Sequence, residues 1–145
     1  MTLSPVPGRL YLVDTSAQAR AQHPAVREVL IGLIADRAVA TCVTVDLEAG
    51  YSGRDAAQVH AIGEQRRSVY VTLPINEAIA ERAREVQRSM ATRGHHRAAG
   101  VLDLITAAVA EYHDATVLHY DADFEHIAAT THQPHRWVVP RGSVS

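Results

Sequence analysis

Five short apolar runs divide the chain, and each is continuous rather than alternating: Leu10 to Val13, Val39 to Cys42, Val69 to Leu73, Thr116 to Leu118 and Trp137 to Val139. Strands that read this way are buried on both faces, the pattern of a parallel sheet covered by helices. The intervening stretches carry helical periodicity. Pro24 fits the first turn of a helix that turns Val26, Val29, Leu30, Leu33 and Ile34 to one side. Thr44 is the expected cap of a helix through Leu47 and Ala49, with Asp46 near its N-terminus, and Asp55 the cap of another with Val59 and Ile62 inward. A longer helix is predicted from Asn76, with the stripe Ile75, Ile79, Ala83, Val86 and Met90, closed by Gly94. Two more are expected, over about Val101 to Tyr112 and after Asp121. Strands alternating with helices predict an α/β fold with right-handed crossovers. A chain of 145 residues fits one domain, with its core over about 10–139.

Composition excludes several chemistries. All 14 basic residues are arginine. With no lysine, a P-loop and a Schiff-base mechanism are both ruled out. A formal net charge of −2 argues against a broadly basic nucleic-acid binder, so contact with nucleic acid would run through local arginines or bound metal. The one cysteine, Cys42, excludes an internal disulfide and a multi-cysteine zinc site. No apolar run is long enough to cross a membrane. The N-terminus lacks a basic segment followed by an apolar core, so no signal peptide is expected and the expected compartment is the cytosol.

In open α/β sheets, ligands bind beyond the carboxyl ends of the strands. Asp14 follows the first run directly, and Asp121 and Asp123 follow the fourth. Asp103 is the one ionisable residue in the thirteen positions from Ala98 to Ala110, in an apolar setting that makes an uncompensated charge costly. Glu48 lies beside Ala49, one turn beyond Val45, and leans toward the sheet. Taken singly, each has an ordinary reading: a helix cap for Asp14, a capped turn for Asp121 and Asp123, an arginine partner for Asp103, a solvated helix position for Glu48. Together they approach one sheet edge from four segments. Carboxylates that close repel by up to about 4 kcal/mol per pair at 4 Å and an effective dielectric of 20. A divalent cation reverses the sign, and oxygen-only donors select Mg²⁺ or Mn²⁺.

The four segments resemble the motifs of the PIN domain, and within it the VapC-type toxin ribonucleases of bacterial toxin–antitoxin pairs. Val13-Asp14-Thr15-Ser16-Ala17 is similar to the first acidic motif and Leu47-Glu48-Ala49-Gly50 to the second. Asp103-Leu104-Ile105-Thr106-Ala107-Ala108 is similar to the third and Tyr120-Asp121-Ala122-Asp123-Phe124-Glu125-His126-Ile127 to the fourth. The resemblance spans about 10–139. It implies a three-layer α/β/α fold with a central parallel sheet of about five strands, and hydrolysis of RNA phosphodiester bonds by Asp14, Glu48, Asp103, Asp121 and Asp123. Asp14, Asp103 and Asp121 are the main metal-ligand candidates. Glu48 and Asp123 would hold a second ion or orient water. The resemblance also implies a homodimer and a cognate VapB-type antitoxin that covers the site. Thr15 and Ser16 are candidate phosphate or water contacts, with helix capping the simpler role. Arg93 and Arg97, in the local positive segment Thr92 to Arg97, are candidate RNA contacts, with a solvated loop the simpler reading.

The alternatives are a receiver-like domain with an acidic Mg²⁺ pocket, whose switch resembles one that uses a lysine, and a PIN-like scaffold that has lost a carboxylate. The chain has no lysine and retains all five acids. The nine histidines show no familiar metal-ligand spacing and are read as surface residues, Cys42 as an inert core residue, and Trp137 as edge-strand packing.

Overall fold

The computed structural model describes residues 8–145. The signal-peptide reading bears on residues 1–7, which lie outside the described residues. Five strands form one wholly parallel sheet: β1 (Tyr11–Val13), β2 (Val39–Thr41), β3 (Val71–Thr72), β4 (Thr116–His119) and β5 (His135–Trp137), in the order β3-β2-β1-β4-β5. Among the described residues, seven helices accompany them: α1 (Thr15–Gln18), α2 (Pro24–Ala35), α3 (Val43–Tyr51), α4 (Ala56–Val69), α5 (Glu77–Thr92), α6 (Val101–Tyr112) and α7 (Asp123–Thr131).

Alternation along β1 assigns the two faces. Leu12 packs with Val45, Ile79, Met90, Leu104 and Phe124 from α3, α5, α6 and α7. Tyr11 and Val13 pack on the opposite face with Ala17, Val26, Leu33 and Val138. Helices therefore cover both faces, as a parallel sheet requires. The expectation of two-sided burial holds for β1, β2 and β4. It fails at the edges: β3 is exposed and β5 only half-buried, because each has a neighbour on one side alone.

Local signals set most helix ends. Pro24 occupies the first turn of α2. Asp55 and Asn76 cap α4 and α5, accepting from the N–H groups of Gln58 and Ile79 at 2.9 Å. Past the end of α5, Gly94 adopts a φ of +72°. Its N–H reaches Ala91 O and that of His95 reaches Met90 O, the paired bonds of a Schellman ending. Three expectations are corrected. Thr44 does not cap α3; Cys42 precedes the helix, and the Thr44 side chain is buried inside. Val59 is 46% exposed, since α4 lies at the margin of the core and buries Arg66 instead. The third run begins as helix, Val69 closing α4, and the last is offset, β5 ending at Trp137 while Val138 and Val139 pack beneath α2.

Among the described residues, no helix is long and apolar enough to cross a membrane.

Candidate metal centre

The chain reverses direction across the sheet between β1 and β4. From β1 it proceeds to β2 and β3 on one side, while β4 and β5 lie on the other. The crevice beyond the carboxyl ends of such a pair is where open α/β sheets place their ligands. Asp14 is the first residue past β1, its N–H held by Leu118 O of β4 at 2.9 Å. Asp121 lies two residues past β4, Asp123 opens α7, Asp103 is in the first turn of α6, and Glu48 is on α3.

These five carboxylates converge. Ligand oxygens of Asp14, Glu48 and Asp103 lie within 4.8 Å of one another, and so do those of Asp103, Asp121 and Asp123. Asp103 is common to both groups. Asp14 is 3% exposed; its Oδ2 accepts from the N–H of Ser16 at 3.0 Å, capping α1. Its Oδ1 is buried without a hydrogen-bond partner, and so is Oε1 of Glu48. Orphaned buried oxygens are rare in folded proteins, and each needs an explanation.

The electrostatics are those of a site short of positive charge. Burial pushes the Asp14 carboxyl up; hydrogen bonds from Ser16 and Thr15 oppose this and Asp121 adds repulsion. Glu48 is raised by burial, then by repulsion from Asp14 and Asp121. Asp103 is pushed up to about 8, by burial first, then by a hydrogen bond with Asp123 and repulsion from Asp14, Asp121 and Asp123. With no cation at hand, a proton held by Asp103 relieves the crowding.

Do these residues fit a divalent cation? Two partnerless buried carboxylate oxygens, both in the Asp14–Glu48–Asp103 group, belong to an oxygen-only donor set that suits a hard ion. Asp14, Glu48 and Asp103 would form one cage, and Asp103, Asp121 and Asp123 an adjoining one.

The turn after β4 is built from directional bonds. The N–H of Gly100 donates to Asp123 Oδ2 at 3.0 Å, and that of Asp123 to Asp121 Oδ1 at 3.0 Å. A Cβ on Gly100 would lie 3.2 Å from Asp103 Oδ2, so glycine there lets the chain approach the carboxylates. The Ser16 hydroxyl accepts from the N–H of Tyr120 at 2.9 Å, fastening α1 to the end of β4. Thr15 is half-buried beside it. Arg93 donates to Thr130 Oγ1 at 2.7 Å, at the end of α7 opposite Asp123, and Arg97 is exposed.

The reading of the histidines as surface residues is corrected at His119, which is fully buried against the rings of Phe124, His135 and Trp137. Burial, with help from His135, lowers its pKa to about 3. Sequence reasoning also missed Thr106, Gly100 and Arg66. Thr106 is the one polar residue besides Asp103 in the thirteen positions from Ala98 to Ala110. Arg66 left no periodic signal, yet its guanidinium joins Asp46 of α3 at 2.7 Å, Gln18 of α1 at 2.6 Å and Thr41 of β2 at 2.8 Å.

Fold and pocket together define an α/β domain with an acidic cluster at its switch point. The PIN domain family model matches residues 11–130, and the chain belongs to that family. Ribonuclease VapC21 of Mycobacterium tuberculosis is 44% identical over 135 residues, covering 92% of this chain and 96% of the relative. Ribonuclease VapC51 of the same organism is 40% identical over 134 residues, covering 92% and 96%. Among solved structures, DNA-bound VapBC from Salmonella typhimurium superposes with a TM-score of 0.73 over 90% of this chain and 99% of that one. VapBC2 from Rickettsia felis, bound to a promoter DNA fragment, gives 0.71 over 88% and 98%. At 15% and 16% identity these two show the fold.

Proposed function

We propose that the chain is a metal-dependent ribonuclease, the toxin of a type II toxin–antitoxin pair, acting through Asp14, Glu48, Asp103, Asp121 and Asp123. The observation that carries this reading is the pair of orphaned buried oxygens on Asp14 and Glu48, in a carboxylate set matched to Mg²⁺ or Mn²⁺. The VapC ribonuclease relatives support the RNA substrate.

When bound, the ion supplies Lewis-acid activation of water and neutralises charge building on the scissile phosphate. Asp14, Glu48 and Asp103 would hold one ion, and Asp103, Asp121 and Asp123 would hold a second or orient water. Asp14 is fixed by Ser16 N–H, and Asp121 and Asp123 by their turn, so little ordering is left for the moment of binding. Thr15 and Ser16 line the rim; Arg93 and Arg97 supply exposed positive charge for the RNA backbone. The test is cleavage of structured RNA by purified protein with Mg²⁺ or Mn²⁺. EDTA is expected to stop it, and undiminished cleavage in EDTA overturns the mechanism.

A groove of about 550 Å³ between α2 and the α3–α4 pair opens beside Glu48, with Leu30, Ile31, Ile34, Ala49 and Ile62 on its walls. Apolar walls ending at an acidic pocket suit an antitoxin segment that buries apolar side chains and inserts an arginine or lysine. The VapBC complexes among the structural neighbours support a VapB-type partner. The exposed apolar side chains of Val43, Ile75 and Val101 support self-association as a homodimer. Co-expression with the adjacent small protein is expected to give a complex on size exclusion; its absence removes the antitoxin claim.

A further inference from the structure

A chain of hydrogen bonds continues from the carboxylates into the sheet. The N–H of Asp121 donates to Nδ1 of His119 at 3.1 Å, and Nε2 of His119 lies 2.9 Å from Nδ1 of His135. A backbone N–H can only donate, so His119 Nδ1 is an acceptor. The His119 proton is therefore on Nε2, donated to His135 Nδ1, and the His135 proton is on its own Nε2. The bond from the Asp121 N–H thus identifies both tautomers.

This places His119 at the root of a series: Gly100 N–H to Asp123 Oδ2, Asp123 N–H to Asp121 Oδ1, Asp121 N–H to His119 Nδ1, and His119 Nε2–H to His135. The far end lies at the start of α6, the helix of Asp103. The near end is an imidazole with no exposure, clamped at ring-centroid distances of 5.0 to 5.1 Å by Phe124, Trp137 and His135. A ring so packed does not rotate freely, so its acceptor marks a fixed point for the Asp121 backbone. The turn's other supports are the Ser16 hydroxyl at the Tyr120 N–H and the bonds to the Asp121 and Asp123 carboxylates, while Ala122, ahead of α7, supplies no side-chain cap.

We infer that His119 is a positioning residue for the Asp121–Asp123 half of the metal centre, its Nδ1 setting the Asp121 backbone and His135 holding it in the accepting tautomer. The inference rests on the metal-site reading proposed above. It requires His119 to touch neither ion nor substrate, and assigns it no proton to move.

Asparagine and glutamine separate this role from simple core packing. The Asn amide oxygen is attached at Cγ, as His Nδ1 is; that of Gln lies one carbon further, toward the Nε2 position. Both variants lose the ring and its stacking, so both should lose thermal stability to a similar degree. Two readouts distinguish them: the ¹H–¹⁵N amide signal of Asp121 in metal-free protein, and Mn²⁺ affinity by calorimetry. With His119→Asn, the Asp121 signal should stay near its wild-type position and Mn²⁺ affinity within about threefold. With His119→Gln, the signal should move upfield and Mn²⁺ affinity should fall by about 10-fold or more, the range for loss of an outer partner of a metal ligand. Single-turnover cleavage should follow affinity at subsaturating Mn²⁺.

Equal Mn²⁺ affinity in the two variants, or an Asp121 amide that ignores both, overturns the inference. If either variant fails to fold, His135→Leu replaces it: the ring of His119 remains but its tautomer is no longer held, and the Asp121 amide should broaden or shift. An unchanged signal there overturns the tautomer claim. A wild-type protein that binds no Mn²⁺ overturns the metal-site reading, while the amide signals still decide whether His119 positions the turn.

Discussion

Thr44 and Thr106 share a buried hydroxyl–hydroxyl hydrogen bond of 2.7 Å, and each lies about one helical turn from a carboxylate of the site. Thr44 precedes Glu48 by four residues on α3; Thr106 follows Asp103 by three on α6. Residues at these spacings share a helix face. The bond thus fastens α3 to α6 where the two helices present their acids.

The two hydroxyls should therefore be energetically coupled. Thr44→Val or Thr106→Val alone strands a buried hydroxyl and should cost about 1–3 kcal/mol. The double variant replaces both partners with methyl groups and should cost less than the sum, by about 0.5–1.5 kcal/mol. Thr44 Oγ1 also lies 3.1 Å from Cys42 Sγ, which softens the Thr106→Val penalty. Urea denaturation of the four proteins measures the cycle. Strict additivity would show that the hydroxyls do not depend on each other.

Gly100→Ala should damage activity more than stability. The backbone at Gly100 is extended, with φ −66° and ψ 152°, which alanine adopts without strain. The new methyl group meets Asp103 Oδ2 at 3.2 Å and Asp123 Oδ2 at 3.7 Å. The Asp103 carboxylate must yield by a few tenths of an ångström, whereas 3.7 Å to Asp123 is ordinary contact. We expect a melting temperature within a few degrees of wild type and cleavage reduced about 10-fold or more, since small misplacements of reacting groups have large effects. Full activity would show that the Asp103 carboxylate has room to spare.

The three central strands were legible because β1, β2 and β4 lie in continuous apolar runs, and the acids because a carboxylate at a strand end or in an apolar helix stands out against its neighbours; the edge strands β3 and β5 were only approximately placed. Asp103 shows this best: its thirteen-residue apolar setting marked it, and it proves to be the member shared by both carboxylate groups. What the sequence hid is neutral or long-range. His119 continues an apolar strand and has no local pattern; its role depends on His135, sixteen residues away. Arg66 is buried through partners on three other elements, so its own helix predicts a solvent-facing residue. The cap of α3 was misplaced for a related reason. Thr44 has the chemistry of a cap, but its hydroxyl is engaged across the core by Thr106.

The pH dependence of metal-free stability has a sign opposite to that of most proteins. Asp103, Asp14 and Glu48 are raised above their ordinary values, so the folded state holds protons that the unfolded state releases. Their contribution is full at low pH and is lost as pH rises through the folded pKa, which for Asp103 is about 8. His119 acts the other way, because a pKa lowered to about 3 costs stability below its ordinary value of 6.5. Well above pH 6.5 His119 and His135, both lowered by burial, are neutral in both states, which leaves the carboxylates to set the slope. In EDTA the melting temperature should fall between pH 6.5 and 8.5. Saturating Mg²⁺ should flatten or reverse that fall, since cation binding favours ionised carboxylates. A melting temperature that rises with pH in EDTA would contradict the crowding of these acids.

Asp103→Asn separates function from stability at the centre of the site. The side chain keeps its shape and loses its charge and, on the proposed metal-site reading, one anionic ligand, so RNA cleavage should fall by orders of magnitude. At pH 6 the wild-type carboxyl is largely protonated, and the metal-free variant should melt close to wild type. At pH 8.5 the wild type carries the full repulsion of Asp14, Asp121 and Asp123, which the variant escapes. Coulomb's law allows up to about 4 kcal/mol per close pair, and counterions reduce it. A negative charge in the first turn of α6 is favoured by the helix dipole, and losing it removes only about 0.3–1 kcal/mol. Repulsion is the larger effect, so the variant should be level with wild type at pH 6 and more stable at pH 8.5, with a weakened slope between. Mg²⁺ should raise the melting temperature of wild type more than that of the variant. An aspartate that held a cap or an arginine would behave in the opposite way, and its loss would cost about 1 kcal/mol or more at either pH. A variant that melts clearly lower in EDTA and keeps the full Mg²⁺ response would remove Asp103 from the metal centre.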